Sequence, residues 1–420
     1  MLAVLAAVVV VATFVQQPIG DDDGRMPGEE IPVVRDASAS PSPSPLAGPT
    51  TGPETSPTWT LLPPAPLPPG TPTTAVAHGS TLLVWDHAGS GRMLRLLLDV
   101  GWDGRWVEGA VAPLRLAGGH VMVPTPHGIL VTAGTDLAGQ ASTAALRYDP
   151  RQDLWERLPD LPGGGRLSPG AAWVEPWSSL VVWGGVGADG TLAADGRRLL
   201  LDPPNDTVVW AEAPVPDLGL QPRRDPHVMP TTDGYAVWGG RDEAGAWLED
   251  GAYVGDGGVI SVPDDPPRRP ARAAAVTAGR ELITWGAPDD PLLRPGWRWS
   301  PSRRGSSAAW HAAAPELGVD APRADPSMVV TRRIPPEGGR LDSLQLVVFG
   351  GASPASGAPR TDALLVDVSS GEARRLPPAP LAGRTGETLA WTGERLIVWG
   401  GRSDGTPQVD GATTELPPLP

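Results

Sequence analysis

Six His, 33 cations and 48 carboxylates carry whatever acid–base chemistry this 420-residue chain can do, because it has no Cys and every cation is Arg. Without thiols there are no disulfides, zinc ribbons or thiol nucleophiles, and without Lys there is no Schiff base and no phosphate-loop lysine. His78, His120 and His227 stand at related positions beside apolar runs, where metal ligation or general-base work is the chemistry to weigh. No carboxylate pair, nucleophile elbow or HExxH pattern joins them, so no catalytic residue, metal or cofactor is expected. Arg115, Arg166, Arg224, Arg272, Arg323 and Arg384 recur about every fifty to sixty residues. A ring of guanidinium groups would bind carboxylates or phosphates bidentately. The competing reading makes them part of a structural repeat, each pairing with a neighbouring unit.

The elements that must position these side chains are short. Gly and Pro number 53 and 52, which excludes long helices over most of the chain, while 40% hydrophobic content and 17 Trp suffice for a large core. A net charge of −15 argues against a nucleic-acid partner, since counterion release needs a basic surface. Residues 1–15 are apolar apart from Thr13, and the run stops at Gln16 and Gln17 ahead of Asp21, Asp22 and Asp23, which predicts a signal or membrane anchor over 1–17 with the rest of the chain outside the cytoplasm. That run is short for a span and lacks a basic flank. Residues 18–57 are acidic and then rich in Pro, Ser and Thr, the composition of an extended spacer. The Asp triplet lacks the alternation and closing Glu of a calcium loop and reads as a solvated flank.

From Trp59 onward the chain repeats. Seven apolar runs end in Gly-Gly or a degenerate form: LLVWDH, ILVTAG, LVVWGG, YAVWGG, LITWGA, LVVFGG and LIVWGG. The first residues of these doublets, from Asp86 to Gly400, are separated by 47, 51, 55, 47, 64 and 50 residues. A second landmark, an aromatic before a Pro-containing stretch, appears at Trp59, Trp106, Trp155, Trp210 and Trp310. A strand turning tightly beside its neighbour needs φ > 0 and no Cβ, which explains Gly184, Gly185, Gly239, Gly240, Gly350, Gly351, Gly400 and Gly401.

This pattern resembles the kelch-repeat family over residues 58–420, in a membrane-tethered bacterial form. The resemblance implies an all-β, seven-bladed propeller of the galactose oxidase type, with four strands per blade. Blades four and six lack the fourth-strand Trp, so distortion is expected there. The last copy supplies three strands and stops, while Trp59-Thr60-Leu61-Leu62 has a fourth-strand signature ahead of the first copy. A one-plus-three closure follows, because an open ring would leave two strand edges exposed.

Under this resemblance the six Arg, with His120 and His227, face one funnel, joined by loops carrying His87, Asp136, Arg241, Asp242, Asp289, Asp290, Arg402 and Asp404. The expected function is a non-catalytic, monomeric binding or scaffold module presenting a propeller face to a protein, glycan or cell-wall ligand. The alternative is an enzyme acting on a sugar, as in the kelch-type sialic acid mutarotases. A galactose oxidase radical centre needs a Tyr–Cys crosslink, and the chain has no Cys and only Tyr148, Tyr235 and Tyr253.

Overall fold

A computed structural model describes residues 58–98, 104–202, 207–212, 214–263, 271–287, 295–301, 310–313, 322–332, 344–368, 370 and 372–417. The expected anchor (1–17) and spacer (18–57) lie outside these residues. No described helix is long and apolar enough to cross a membrane.

The chain forms seven four-stranded antiparallel sheets arranged as a propeller. The innermost strands are Thr74–His78, Gly118–Thr125, Gly170–Val174, His227–Thr231, Ala271–Ala278, Ser327–Arg332 and Thr388–Trp391. The second strands, such as Ser179–Trp183 and Arg395–Trp399, are buried on both faces, and their sequences are accordingly continuous apolar runs with no alternation. Fourth strands such as Leu154–Leu158 are mostly exposed, and there the polar alternation returns.

The core is divided into seven apolar clusters, one for each interface between adjacent blades. One of them joins Leu82, Val84 and Leu96 of the first blade to Ile397 and Trp399 of the last, so the ring is closed by side-chain packing. It is also closed by the backbone: Thr60 and Leu61 pair with Thr413 and Ala412, completing the last sheet from the other end of the chain. Blades four and six keep regular fourth strands, Gly258–Val262 and Ala373–Leu376, which corrects the expected distortion. In the former the register position of the Trp, opposite Val254, is held by an exposed Val259, while Ile260 pairs with Tyr253 and packs toward the following blade.

The recurrent Trp does more than fill space. Trp59, Trp106, Trp210 and Trp310 donate their indole N–H to the carbonyls of Pro377, Pro63, Pro159 and Pro263, at 2.8, 2.8, 2.8 and 2.9 Å. Each acceptor lies just past the fourth strand of the preceding blade. A carbonyl before or within a Pro turn has no ladder partner, and the indole supplies one across the seam.

Candidate functional site

Four Arg are consumed by the fold. Arg166, Arg223, Arg323 and Arg384 are buried, and the Nη1 of each donates to the carbonyl of the first doublet glycine, Gly184, Gly239, Gly350 or Gly400, at 3.0 to 3.1 Å. Each also engages the Asp that precedes the third strand: Asp195 at 2.6 Å, Asp250 at 2.6 Å, Asp362 at 2.9 Å and Asp410 at 2.6 Å. Burial pushes Asp362 up, but bonds from Arg360 and Arg323 outweigh it and hold the carboxyl down at about 2.

These staples occur in the blades whose Gly-Gly is complete, and the geometry explains why. Both glycines are left-handed, for example φ 71° and 92° at Gly184 and Gly185, which turns the first carbonyl toward the guanidinium. A Cβ on the second glycine would lie 2.8 Å from the Leu167 carbonyl at Gly185 and 2.8 Å from the Arg224 carbonyl at Gly240.

Two expectations are corrected here. The partner of each stapling Arg belongs to the blade that the Arg introduces, not to the neighbouring one, because the lead-in loop folds back over its own second and third strands. In the fourth blade the staple is Arg223, not Arg224. The signal was present: Arg166, Arg223, Arg323 and Arg384 each stand four residues before their inner strand, and Arg224 stands three. The Asp partners carry a second signal, nine to eleven residues after the doublet.

Neither Arg115 nor Arg224 makes such a staple. Arg115 is exposed, Arg224 is half-buried and its backbone pairs with Arg241, and Arg272 lies in the strand Ala271–Ala278. Burial and internal pairing therefore take Arg166, Arg323 and Arg384 out of any ligand-binding ring.

What does converge is an axial cavity of about 300 Å³, the funnel, at the end where the inner strands begin. Its wall includes His87, His120, His227, Asp225, Arg241, Trp247, Asp325 and Arg402. His78 closes the opposite end of its strand and meets the Thr125 carbonyl at 3.2 Å, so the three expected His are not equivalent. Asp136 and Asp242 accept bonds from their own loops, and Asp289 and Asp290 lie outside the described residues.

His87 and His120 stand edge to face with centroids 4.6 Å apart. His87 Nδ1 is 3.0 Å from the Leu116 carbonyl; a carbonyl only accepts, so Nδ1 carries the proton and Nε2 is an acceptor. Neither ring nitrogen of His120 has a hydrogen-bond partner among the described residues. Burial lowers the pKa of all three funnel imidazoles, that of His227 to about 4, and His87 adds to the effect at His120. They are neutral at pH 7. Arg241 stacks 4.1 Å over Trp247, with Asp225 4.0 Å from its Nε. Burial raises the pKa of Asp225, against the opposing charge of Arg241.

One buried acid was not anticipated from sequence. Glu387 takes the position that Pro169, Pro226 and Pro326 hold in other blades, and neither carboxyl oxygen has a hydrogen-bond partner among the described residues. Burial pushes it up to about 7. Its departure from Pro was visible in the sequence, but its burial against Gly350 of the previous blade was not.

Among the described residues no group of three or more His, Asp or Glu is placed to hold a metal ion. No protein-family model matches the chain, and no curated protein matches its sequence. A fungal alcohol oxidase of the AA5 family, solved in complex with copper, is 16% identical and aligns over 86% of this chain and 76% of that one at a TM-score of 0.56. The structure of YjhT, 14% identical, aligns over 84% of this chain and 99% of that one at a TM-score of 0.48. The oxidase likeness is one of fold. A copper radical centre of the galactose oxidase kind does not fit the residues here, since Tyr148, Tyr235 and Tyr253 pack between blades and none lines the funnel.

Proposed function

We propose that the chain is a monomeric, non-catalytic binding module. Residues 1–17 and 18–57 hold the propeller outside the cytoplasm, and its funnel face meets a glycan or cell-wall ligand. The observation that carries this reading is the contrast between the two ends of the Arg chemistry. Buried guanidinium groups are saturated by Asp and Gly carbonyls, whereas Arg402, which pairs with no carboxylate among the described residues, lines an open cavity together with His87. An enzyme acting on a sugar is the second reading. It is favoured by a neutral imidazole, His227, and a carboxyl of raised pKa, Asp225, lining the same cavity.

The test is binding of purified full-length protein to arrayed glycans and cell-wall fragments. Gln408→Trp should plug the funnel and abolish capture, while Ser80→Trp at the opposite end should leave it intact. Capture lost in Ser80→Trp and retained in Gln408→Trp would overturn the reading, and catalytic turnover of a captured sugar would replace it with the second.

A further inference from the structure

We propose that the lead-in loop of blade seven, residues 382–388, is a proton-controlled gate in the funnel wall. It is shut while the Glu387 side chain holds a proton, and it lifts away from blade six as that proton leaves. The gate is independent of what the funnel binds.

Lead-in loops follow one plan in blades four, six and seven. A stapling Arg comes first, and the next residue bonds twice through its backbone to the residue after the doublet. Arg224 and Arg241 exchange N–H···O bonds of 3.0 and 2.8 Å, Ala324 and Ala352 of 2.9 and 2.8 Å, and Thr385 and Arg402 of 3.0 and 2.9 Å. A left-handed residue follows, Asp225, Asp325 or Gly386, with φ of 54°, 50° or 69°. The residue after it enters the seam with the preceding blade. Pro226 packs there against Gly184, its Cγ 3.1 Å from where a Cβ on that glycine would lie, and Glu387 packs against Gly350, its Oε1 2.6 Å from the equivalent point.

Blades three, four and six have Pro at this place, whereas blade seven has an ionisable group. Glu387 is fully buried, and neither carboxyl oxygen has a hydrogen-bond partner among the described residues. Ser327 of blade six donates its hydroxyl to the Glu387 backbone carbonyl at 2.9 Å, which holds the loop without serving the carboxyl. Among the described residues the charges facing the carboxyl are Arg384 on the same loop and Arg323 on blade six, already paired with Asp410 and Asp362. Asp325 and Arg402 stand on the two elements that flank it. A carboxylate in this seam is desolvated with nothing to bond, while the neutral acid fills the place as Pro does elsewhere. Ser327, Thr385, Gly386 and Arg402 also line the funnel, so lifting the loop opens the wall between blades six and seven.

Opening lets the carboxyl reach water and titrate at its ordinary 4.5, against about 7 when shut. Between those values the open state has released a proton that the shut state keeps. The open population should therefore rise about tenfold per pH unit across that window and level off above about 7.

Hydrogen exchange of the full chain from pH 5 to 7, read by mass spectrometry and corrected for intrinsic rates, tests the gate. Protection at Thr385 and Arg402 should fall about tenfold per pH unit. The matching pairs Arg224 with Arg241 and Ala324 with Ala352, which carry Pro in place of the acid, should show no such slope. Glu387→Gln and Glu387→Pro should each flatten the response of blade seven, the second by restoring the residue that the other blades use. A slope that survives in either variant would overturn the proposal, as would flat protection or no exchange at Thr385 and Arg402 in the parent. Equal slopes at all three pairs would also overturn it, because the opening would then belong to the whole ring.

Discussion

The indole of Trp59 donates to the carbonyl of Pro377 at 2.8 Å, joining residues 318 positions apart, and so latches the first described strand onto the sixth blade. The same chain end pairs with the last blade, where Leu62 N–H donates to the Gly411 carbonyl at 2.9 Å. Closure of the ring therefore combines this strand pairing and side-chain bond with the apolar packing between the first and last blades.

Truncation separates the two regions before the propeller. Removal of residues 1–56 should leave the melting temperature unchanged, whereas removal of 1–62 should expose the Gly411–Glu415 strand and lower both stability and solubility. Equal melting temperatures for the two would refute the closure. Trp59→Phe keeps most of the packing and should cost about 1 kcal/mol for the lost bond.

The staples make a sharp contrast between neighbours. Arg223→Ala strands Asp250 and the Gly239 carbonyl and should cost about 1 to 3 kcal/mol in denaturant unfolding. Arg224→Ala, one residue on, should cost less than about 1 kcal/mol, since it breaks no ion pair of this kind. Matching losses would show that the register of the staple is wrong.

Glu387 sets a pH dependence of defined sign. Its carboxyl titrates at about 7 in the folded protein against 4.5 unfolded, so between those values the folded state holds a proton that the unfolded state has released. Stability should fall as pH rises through that window, by on the order of 2 to 3 kcal/mol, and level off above it. Glu387→Gln should abolish the decline and be more stable than the parent at pH 8. A parent protein that gains stability between pH 5 and 7, with the Gln variant unchanged, would exclude this role.

The funnel imidazoles act in the opposite direction. With His227 depressed to about 4 from 6.5, the unfolded chain takes up the proton first, so this contribution is present above pH 6.5 and lost as pH falls toward 4. His227→Gln should flatten that acid limb in a urea unfolding series. An unaltered limb would place its origin elsewhere.

The sequence by itself determined the number of blades, the closure and the Trp seams, because each depends on local periodicity: apolar runs that must be buried on both faces, doublets that need two left-handed residues, and an indole ahead of Pro at a fixed place in five of the seven copies. Those constraints are read within about fifty residues of chain. The roles of individual Arg and His were decided only by the tertiary structure. Arg223 and Arg224 are adjacent and chemically identical, yet a shift of one residue puts one guanidinium on Asp250 and the other half in solvent. Likewise His78 and His120 both belong to inner strands, but they sit at opposite ends, and only the ring places His120 beside His87. Burial and partnership are properties of three-dimensional neighbours, and in a closed ring half of those neighbours come from a different blade.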